Sequence, residues 1–494
     1  LQYCSTRDAS LRRTGAQAIL EGLAPDGGLY VPVQVPRVSL GQIASLCDMD
    51  YTDRARAILP RFLDDYTPEE IAACARLSYR EGRYDDARIV PLVELDGALS
   101  LAELFHGPTL AFKDMALQIM PRLLSLAAKK CGVKDDVLIL VATSGDTGKA
   151  ALEGFLDVPG TRIVVFYPAE GVSHAQYLQM ATQAGSNTHV VGVTGNFDDC
   201  QRGVKALFAS PDFQARLRQA GCQSSSANSI NWGRLLPQIV YYFSAYADLC
   251  KEGRVTLGDP VNFVVPTGNF GDILAGEYAR AMGLPVGRLI CASNANNVLV
   301  DFFRTGKYDR RRTFYKTMSP SMDILVSSNL ERLLFMRSGM DDARVKGWMA
   351  QLSGAGDYDV SGLYEAITQG FYAASASEAD TARAIARAYE TCHYVMDPHT
   401  AVGYHVYGQY VQETGDASTP TVLLSTASPY KFSEAVLSAI SGSAPADTFA
   451  AAAAVQQLSG VPVPAALSAL ADAPIRHKTI CAPEEMGAAV LALL

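Results

Sequence analysis

Glu103-Leu-Phe-His-Gly-Pro-Thr-Leu-Ala-Phe-Lys-Asp-Met-Ala-Leu-Gln118 is the stretch on which the reading of this chain turns. His-Gly-Pro signals a turn, and an apolar helical pattern starts just after it. A single lysine, Lys113, stands at the junction between Phe112 and Asp114. A lysine wedged among apolar neighbours loses hydration. Its pKa then falls, and the free amine becomes a usable nucleophile and base. On its own the pattern fits a solvated helix start better, so the case depends on the rest of the chain.

Continuous apolar runs follow. They are Val137-Leu-Ile-Leu-Val141, Ile163-Val-Val-Phe166, Val190-Val-Gly-Val193, Phe263-Val-Val265, Leu289-Ile-Cys-Ala292 and Val422-Leu-Leu424. Such runs suit strands buried on both faces. Helical patterns separate most of them, and this alternation predicts an α/β fold with largely parallel sheets. Thr67-Pro-Glu-Glu70 reads as an N-cap with Pro at the first helical position, starting a helix to about Arg80. The Ala-rich stretch from Ala450 to Ala454 reads as another helix. At 494 residues the chain exceeds one compact core, so two or three domains are expected. We place an N-terminal domain at 1–95, the first part of a large domain at 96–136 and a small α/β domain at 137–228. The rest of the large domain, with a C-terminal region, occupies 229–494.

Composition narrows the function. The chain is 49% hydrophobic and 19% charged, which describes an ordinary globular protein. A net charge of −9 disfavours nucleic acid or an anionic membrane as partner, without excluding an anionic substrate at a locally positive site. The ten cysteines are scattered with no Cys-x-x-Cys pair, which argues against structural zinc or a disulfide framework. No metal constellation stands out among the seven histidines. The chain opens on Leu1, without a basic-then-apolar leader, and no run approaches a membrane span. A cytoplasmic protein is therefore expected.

Four further stretches carry chemistry. Thr143-Ser-Gly-Asp-Thr-Gly-Lys-Ala-Ala151 follows a strand and leads into a helix, so its backbone N–H groups can hold an anion. Asn228-Ser-Ile-Asn-Trp-Gly-Arg234 is polar, aromatic and basic, and an arginine fork suits phosphate. The same residues would also serve as a helix cap and a surface arginine. Val264-Val-Pro-Thr-Gly-Asn-Phe-Gly-Asp-Ile273 is a strand, a glycine loop and a helix start, fit for a phosphate. It is neither a Walker loop nor a dinucleotide fingerprint. Ser425-Thr-Ala-Ser-Pro-Tyr-Lys-Phe432 closes the last apolar strand.

Taken in order, these stretches resemble the threonine synthase family. Tyr3-Cys-Ser-Thr-Arg7 and Gly22-Leu-Ala-Pro-Asp-Gly-Gly-Leu-Tyr-Val-Pro32, otherwise plain loop and turn, resemble its N-terminal domain. The resemblance runs from Ser5 to about Phe432. It implies a pyridoxal-phosphate (PLP) enzyme of the tryptophan-synthase-β fold type, with the cofactor in the cleft between two α/β domains. Lys113 would hold PLP as a Schiff base. Gly268, Asn269, Phe270, Gly271 and Asp272 would cup its phosphate, with Asp272 capping the helix or binding through its backbone N–H. Thr426 would meet the pyridine nitrogen. Ser144, Gly145, Asp146 and Thr147 would bind the substrate carboxylate. Asn228, Ser229 and Arg234 would hold the substrate's own phosphate. The implied reaction converts O-phospho-L-homoserine and water to L-threonine and phosphate, in a monomer. The alternative is a related phospho-lyase giving a keto acid, ammonia and phosphate.

Three positions depart from the family's pattern: Lys149, where a small residue is usual, Ser428 for His and Tyr430 for Ala. Ser319-Pro-Ser-Met-Asp-Ile-Leu-Val-Ser-Ser-Asn329 and Asp397-Pro-His-Thr-Ala-Val-Gly403 are family-like but carry no assigned step. His399 reads equally as structural or functional.

Overall fold

Each apolar run forms a strand, and the strands make two separate sheets. The computed structural model describes residues 1–80, 82–143, 145–170, 172 and 174–494. The larger sheet has six strands in the order Phe371–Ser375, Val286–Ser293, Val261–Pro266, Thr421–Ser425, Leu99–Glu103 and Leu92–Asp96. All its neighbours are parallel except the last pair. The smaller sheet runs Thr479–Cys481, Thr188–Val193, Thr161–Pro168, Asp136–Ala142 and Cys222–Ser225, parallel throughout. Val264, Leu423 and Leu101 lie side by side at the centre of the larger sheet and are fully buried. Apolar residues on both faces of a strand need cover on both faces, and the helices between strands supply it.

Several elements differ from the expected division. Leu92–Asp96 is a half-exposed edge strand of the larger sheet, so a boundary at 95 cuts through it. Leu99–Glu103 is interrupted by a serine, which breaks the apolar run; Ser100 Oγ accepts from Arg254 Nη2 at 2.6 Å. The final strand, Thr479–Cys481, adds to Thr188–Val193 in the smaller sheet. The last part of the chain thus returns to the unit bounded at 228. An edge strand presents unpaired N–H and C=O groups, and the tail pairs some of them. Met486 and Val490, from the final helix Met486–Leu493, complete the apolar cluster around Leu138, Val164 and Val191.

At the N-terminus, Asp8–Arg13, Tyr3–Ser5 and Tyr30–Pro32 form a small antiparallel sheet. Its two motifs meet. Ser5 Oγ donates to the Asp26 carboxylate at 2.8 Å, and the Leu29 N–H donates to Thr6 Oγ1 at 2.8 Å. Thr67 and Glu70 cap each other's backbone, and the helix runs Pro68–Ser78. The Ala-rich stretch lies in the helix Thr448–Ser459.

Lys113 follows the strand Leu99–Glu103, the glycine loop follows Val261–Pro266 and Thr426 follows Thr421–Ser425. All three leave the C-terminal ends of parallel strands, where open α/β sheets bind ligands.

Candidate active site

The turn before Lys113 is closed from inside. The Asp114 carboxylate accepts from the Thr109 N–H and from Thr109 Oγ1, each at 2.8 Å. Gly107 packs against it, and a Cβ there would lie 2.6 Å from Asp114 Oδ2, so only glycine fits. Phe112 donates its N–H to the Thr426 carbonyl at 2.8 Å, and Ser428 donates to the Leu110 carbonyl at 3.0 Å. Between these bonds Leu110 is held at φ +58°, a left-handed conformation that costs a non-glycine residue about 1–2 kcal/mol. The loop that presents Lys113 is thus fixed rather than free.

His106, in the same turn, lies between two carboxylates: Asp85 at 2.5 Å and Glu103 at 2.8 Å. Burial favours the neutral ring, but these two partners together outweigh it and raise the pKa from 6.5 to about 9. A raised folded-state pKa gives stability that is complete below pH 6.5 and is lost as pH rises through 9. With Asp85 half exposed and screened, the contribution is about 1–2 kcal/mol. We expect the unfolding free energy from urea titration to fall between pH 6.5 and 9.5 by that much more in the wild type than in His106→Gln. Parallel curves would remove the charge from His106.

Three lysines compete for the cofactor role, and their partners separate them. Lys431 Nζ lies 2.7 Å from Asp146 Oδ1 and donates to the Thr109 carbonyl at 2.9 Å. Lys149 Nζ reaches Gln183 Oε1 at 2.5 Å and Glu153 Oε2 at 3.3 Å, so it neither faces solvent nor adds charge at the carboxylate loop. Among the described residues Lys113 Nζ donates only to Ser321 Oγ, at 3.2 Å, and it sits over the Phe112 ring at 4.9 Å. Burial is the main cause lowering its pKa to about 8, with Lys431 and Arg234 adding to it and Asp146 opposing. Of the three, Lys113 is the amine without a carboxylate partner among the described residues, and its lowered pKa favours the free base.

The glycine loop is a built cradle. Thr267–Phe270 leads into the 12-residue helix Gly271–Met282, whose first N–H groups face the loop. Phe270 holds φ +65°, and Gly268 lies against the Ser321 carbonyl, 2.8 Å from where a Cβ would stand. Ser327 Oγ donates to the Gly268 carbonyl at 2.8 Å, and the Asn329 N–H donates to the Asn269 carbonyl at 3.0 Å. The Asp272 side chain does not cap the helix. Its Oδ1 accepts from Tyr241 Oη at 2.5 Å and Tyr242 Oη at 3.1 Å. Burial raises its pKa to about 7, against the pull of both tyrosines and Lys113. A carboxyl poised near neutrality is compatible with a phosphate beside it, whereas a fixed carboxylate would repel one.

Arg234 is buried, and its Nη1 donates to the Ala227 carbonyl at 2.7 Å. Among the described residues its buried Nε has no hydrogen-bond partner and no carboxylate pairs with it. Burial lowers its pKa to about 10, and its charge acts on the Lys113 amine. Asn228 is exposed, while Ser229 is half-buried with its carbonyl on Asn329 Nδ2 at 3.2 Å. Asn231 supplies the structural part: its Oδ1 accepts from the Gly233 N–H at 2.8 Å and its Nδ2 donates to Ile19 and Ser226 carbonyls. Arg332, fully buried, donates to the carbonyls of Tyr30 at 3.0 Å and Ile230 at 2.6 Å, tying the N-terminal domain to this stretch.

The carboxylate loop is partly as expected. Ser144 lies outside the described residues. The helix after it runs Asp146–Phe155, and Thr143 Oγ1 accepts from the N–H groups of Gly145 and Gly148 at 3.0 Å. Thr147 is half-buried. The Asp146 carboxylate faces Lys431; burial would raise its pKa, but Lys431 and Lys113 hold it down at about 2. An ionised carboxylate cannot bind another through its side chain, so Asp146 can offer a substrate carboxylate only its backbone. Ser428 and Tyr430 have local roles. Ser428 Oγ accepts from the Tyr430 N–H at 3.3 Å, and Tyr430 Oη reaches Ser459 Oγ at 3.2 Å under the C-terminal helices.

The residues present fit PLP: an amine with a depressed pKa and a glycine cradle at a helix N-terminus. Lys113, Gly268–Asp272 and Thr426 would hold it.

Two parallel α/β units meeting at such a lysine define a PLP-dependent enzyme, and residues 88–426 match the family described as "Pyridoxal-phosphate dependent enzyme". Residues 2–79 match "Threonine synthase N terminus" and 400–488 match "Threonine synthase, C-terminal". The threonine synthase of Pseudomonas aeruginosa is 41% identical over 90% of this chain and 92% of its own length. The solved PLP-bound threonine synthase of Brucella melitensis is 36% identical with a TM-score of 0.87, covering 100% of this chain and 99% of that one. The yeast threonine synthase structure is 32% identical with a TM-score of 0.89, covering 100% and 98%. Human "Threonine synthase-like 1" is 42% identical over 86% of this chain, which spans 58% of that relative's length. The chain belongs to the threonine synthase family of PLP-dependent enzymes.

Proposed function

We propose that this chain converts O-phospho-L-homoserine and water to L-threonine and phosphate. The observation that carries the reading is a second anion site beside the cofactor's. The glycine cradle serves one phosphate, and Arg234, buried near Lys113 with no carboxylate partner among the described residues, serves another. An enzyme whose substrate brings its own phosphate needs both.

When bound, PLP would supply an electron sink for charge developing on the substrate's carbon chain, with Thr426 among the residues that would hold it. Lys113 holds the cofactor. As a free amine lowered to about 8 it takes the Cα proton and then serves at Cβ. Arg234, with Asn228 and Ser229 at the rim, takes the charge of the departing phosphate. Gly145 and Thr147 seat the substrate carboxylate at the start of Asp146–Phe155. The smaller unit, about 137–228, contributes that seat, and the larger unit contributes Lys113 and the cradle. A substrate touching both draws the units together and keeps stray water out. We further propose that the enzyme works as a cytoplasmic monomer.

Thr147→Ala weakens the seat without touching the proton-handling amine. It is expected to lower threonine yield and raise the 2-oxobutyrate fraction, read by chromatography of single reactions. An unchanged product ratio would count against a gating role. A related phospho-lyase would use the same two anion sites. Incubation with PLP and phosphohomoserine separates the two. Threonine and phosphate in equal amounts support the proposal, and 2-oxobutyrate with ammonia in place of threonine would replace it.

A further inference from the structure

Ser321 touches three parts of the site at once. Its hydroxyl accepts from Lys113 Nζ at 3.2 Å, its carbonyl packs on Gly268 of the cradle, and its N–H donates to His399 Nε2 at 3.1 Å. A backbone N–H can only donate, so His399 Nε2 must carry a lone pair and the ring proton must sit on Nδ1. There it meets Asp397 Oδ2 at 2.6 Å. Asp397 is fully buried. Its carboxylate also accepts from the N–H groups of His399 at 2.9 Å and Thr400 at 3.1 Å, and from the Thr400 hydroxyl. The His399 ring is wedged edge-on against Phe432, centroids 5.0 Å apart. The His399–Asp397 bond is buried and the two bonds at Ser321 are part-buried, so turning either residue breaks a hydrogen bond shielded at least in part from water.

We propose that Ser321 is a further catalytic residue, whose hydroxyl anchors the free amine of Lys113, and that His399 is the positioning residue that fixes Ser321. The inference rests on the role proposed for Lys113. An amine that donates one N–H to Ser321 has its lone pair directed elsewhere, into the cleft. Asp397 holds the His399 tautomer, His399 holds the Ser321 peptide, and Ser321 aims the amine. The stretches 319–329 and 397–403 then share one purpose, joined across 78 residues of sequence.

Four variants test this: Ser321→Ala, His399→Leu, the two combined, and His399→Gln, which keeps one donor and one acceptor. Two readouts are needed. The first is arylation of Lys113 by dinitrofluorobenzene in cofactor-free protein, followed by peptide mass spectrometry across pH. The second is kcat and KM of the loaded enzyme. Ser321→Ala and His399→Leu should each change the Lys113 labelling profile and lower kcat roughly three- to tenfold, the size of one hydrogen bond, with KM unchanged. The double variant should lose no more than His399→Leu alone, and His399→Gln should recover most of the loss. Additive losses, or an unaltered labelling profile in Ser321→Ala, would overturn the inference. Borohydride mapping separates the two levels. If Lys113 carries the cofactor while the variants behave additively, this inference fails alone; if another lysine carries it, the functional reading fails with it.

Discussion

Lys113→Ala is expected to abolish both the visible absorbance of the lysine-bound cofactor and turnover. The amine has two duties in this account, holding PLP and moving protons on the substrate. Losing the proton duty alone costs roughly 10²- to 10⁴-fold in rate. No neighbouring amine can take over. Lys431 is pinned between Asp146 and the Thr109 carbonyl, and Lys149 between Glu153 and Gln183. The fold should survive, because removing a buried amine at this site removes a desolvation cost as well as one hydrogen bond to Ser321. Absorbance, activity and thermal unfolding of the variant are the measurements. Retained turnover would move the chemistry to another residue.

Arg234→Met should separate function from stability. The substitution keeps much of the volume and removes the buried charge. It leaves the Ala227 carbonyl without its donor, a loss offset by no longer burying an unpaired guanidinium. We expect the unfolding free energy of the cofactor-free protein to stay within about 1 kcal/mol of wild type. Loss of a charge-assisted phosphate contact is typically about 1.5–3 kcal/mol, so KM for phosphohomoserine should rise roughly ten- to a hundredfold. PLP occupancy should not change. If cofactor is lost in proportion, Arg234 belongs to the cofactor's phosphate instead.

The parts legible in sequence were those with local signatures. Apolar runs announced the strands, Thr67-Pro-Glu-Glu announced a capped helix, and the ordered motifs pointed to the residues around Lys113. What escaped was set by long-range pairing. Ser100 disguised a central strand as a mixed segment, and three residues near the C-terminus joined a sheet whose other strands end at Ser225. Asp272 was read from its place at a helix start, but its direction depends on Tyr241 and Tyr242 from a different helix. Asp146 looked like an anion-loop residue because nothing local shows that Lys431 would face it. Ser321 and His399 were visible as motifs, yet their contact with Lys113 exists only once the fold brings residues 113, 321 and 399 together.

The account's central claim is that Lys113 is the amine that carries the cofactor. Reducing the PLP-loaded protein with borohydride and mapping the modified peptide by mass spectrometry tests it directly. The account predicts a single pyridoxyl group on Lys113; the group on Lys431, Lys149 or any other lysine would contradict it.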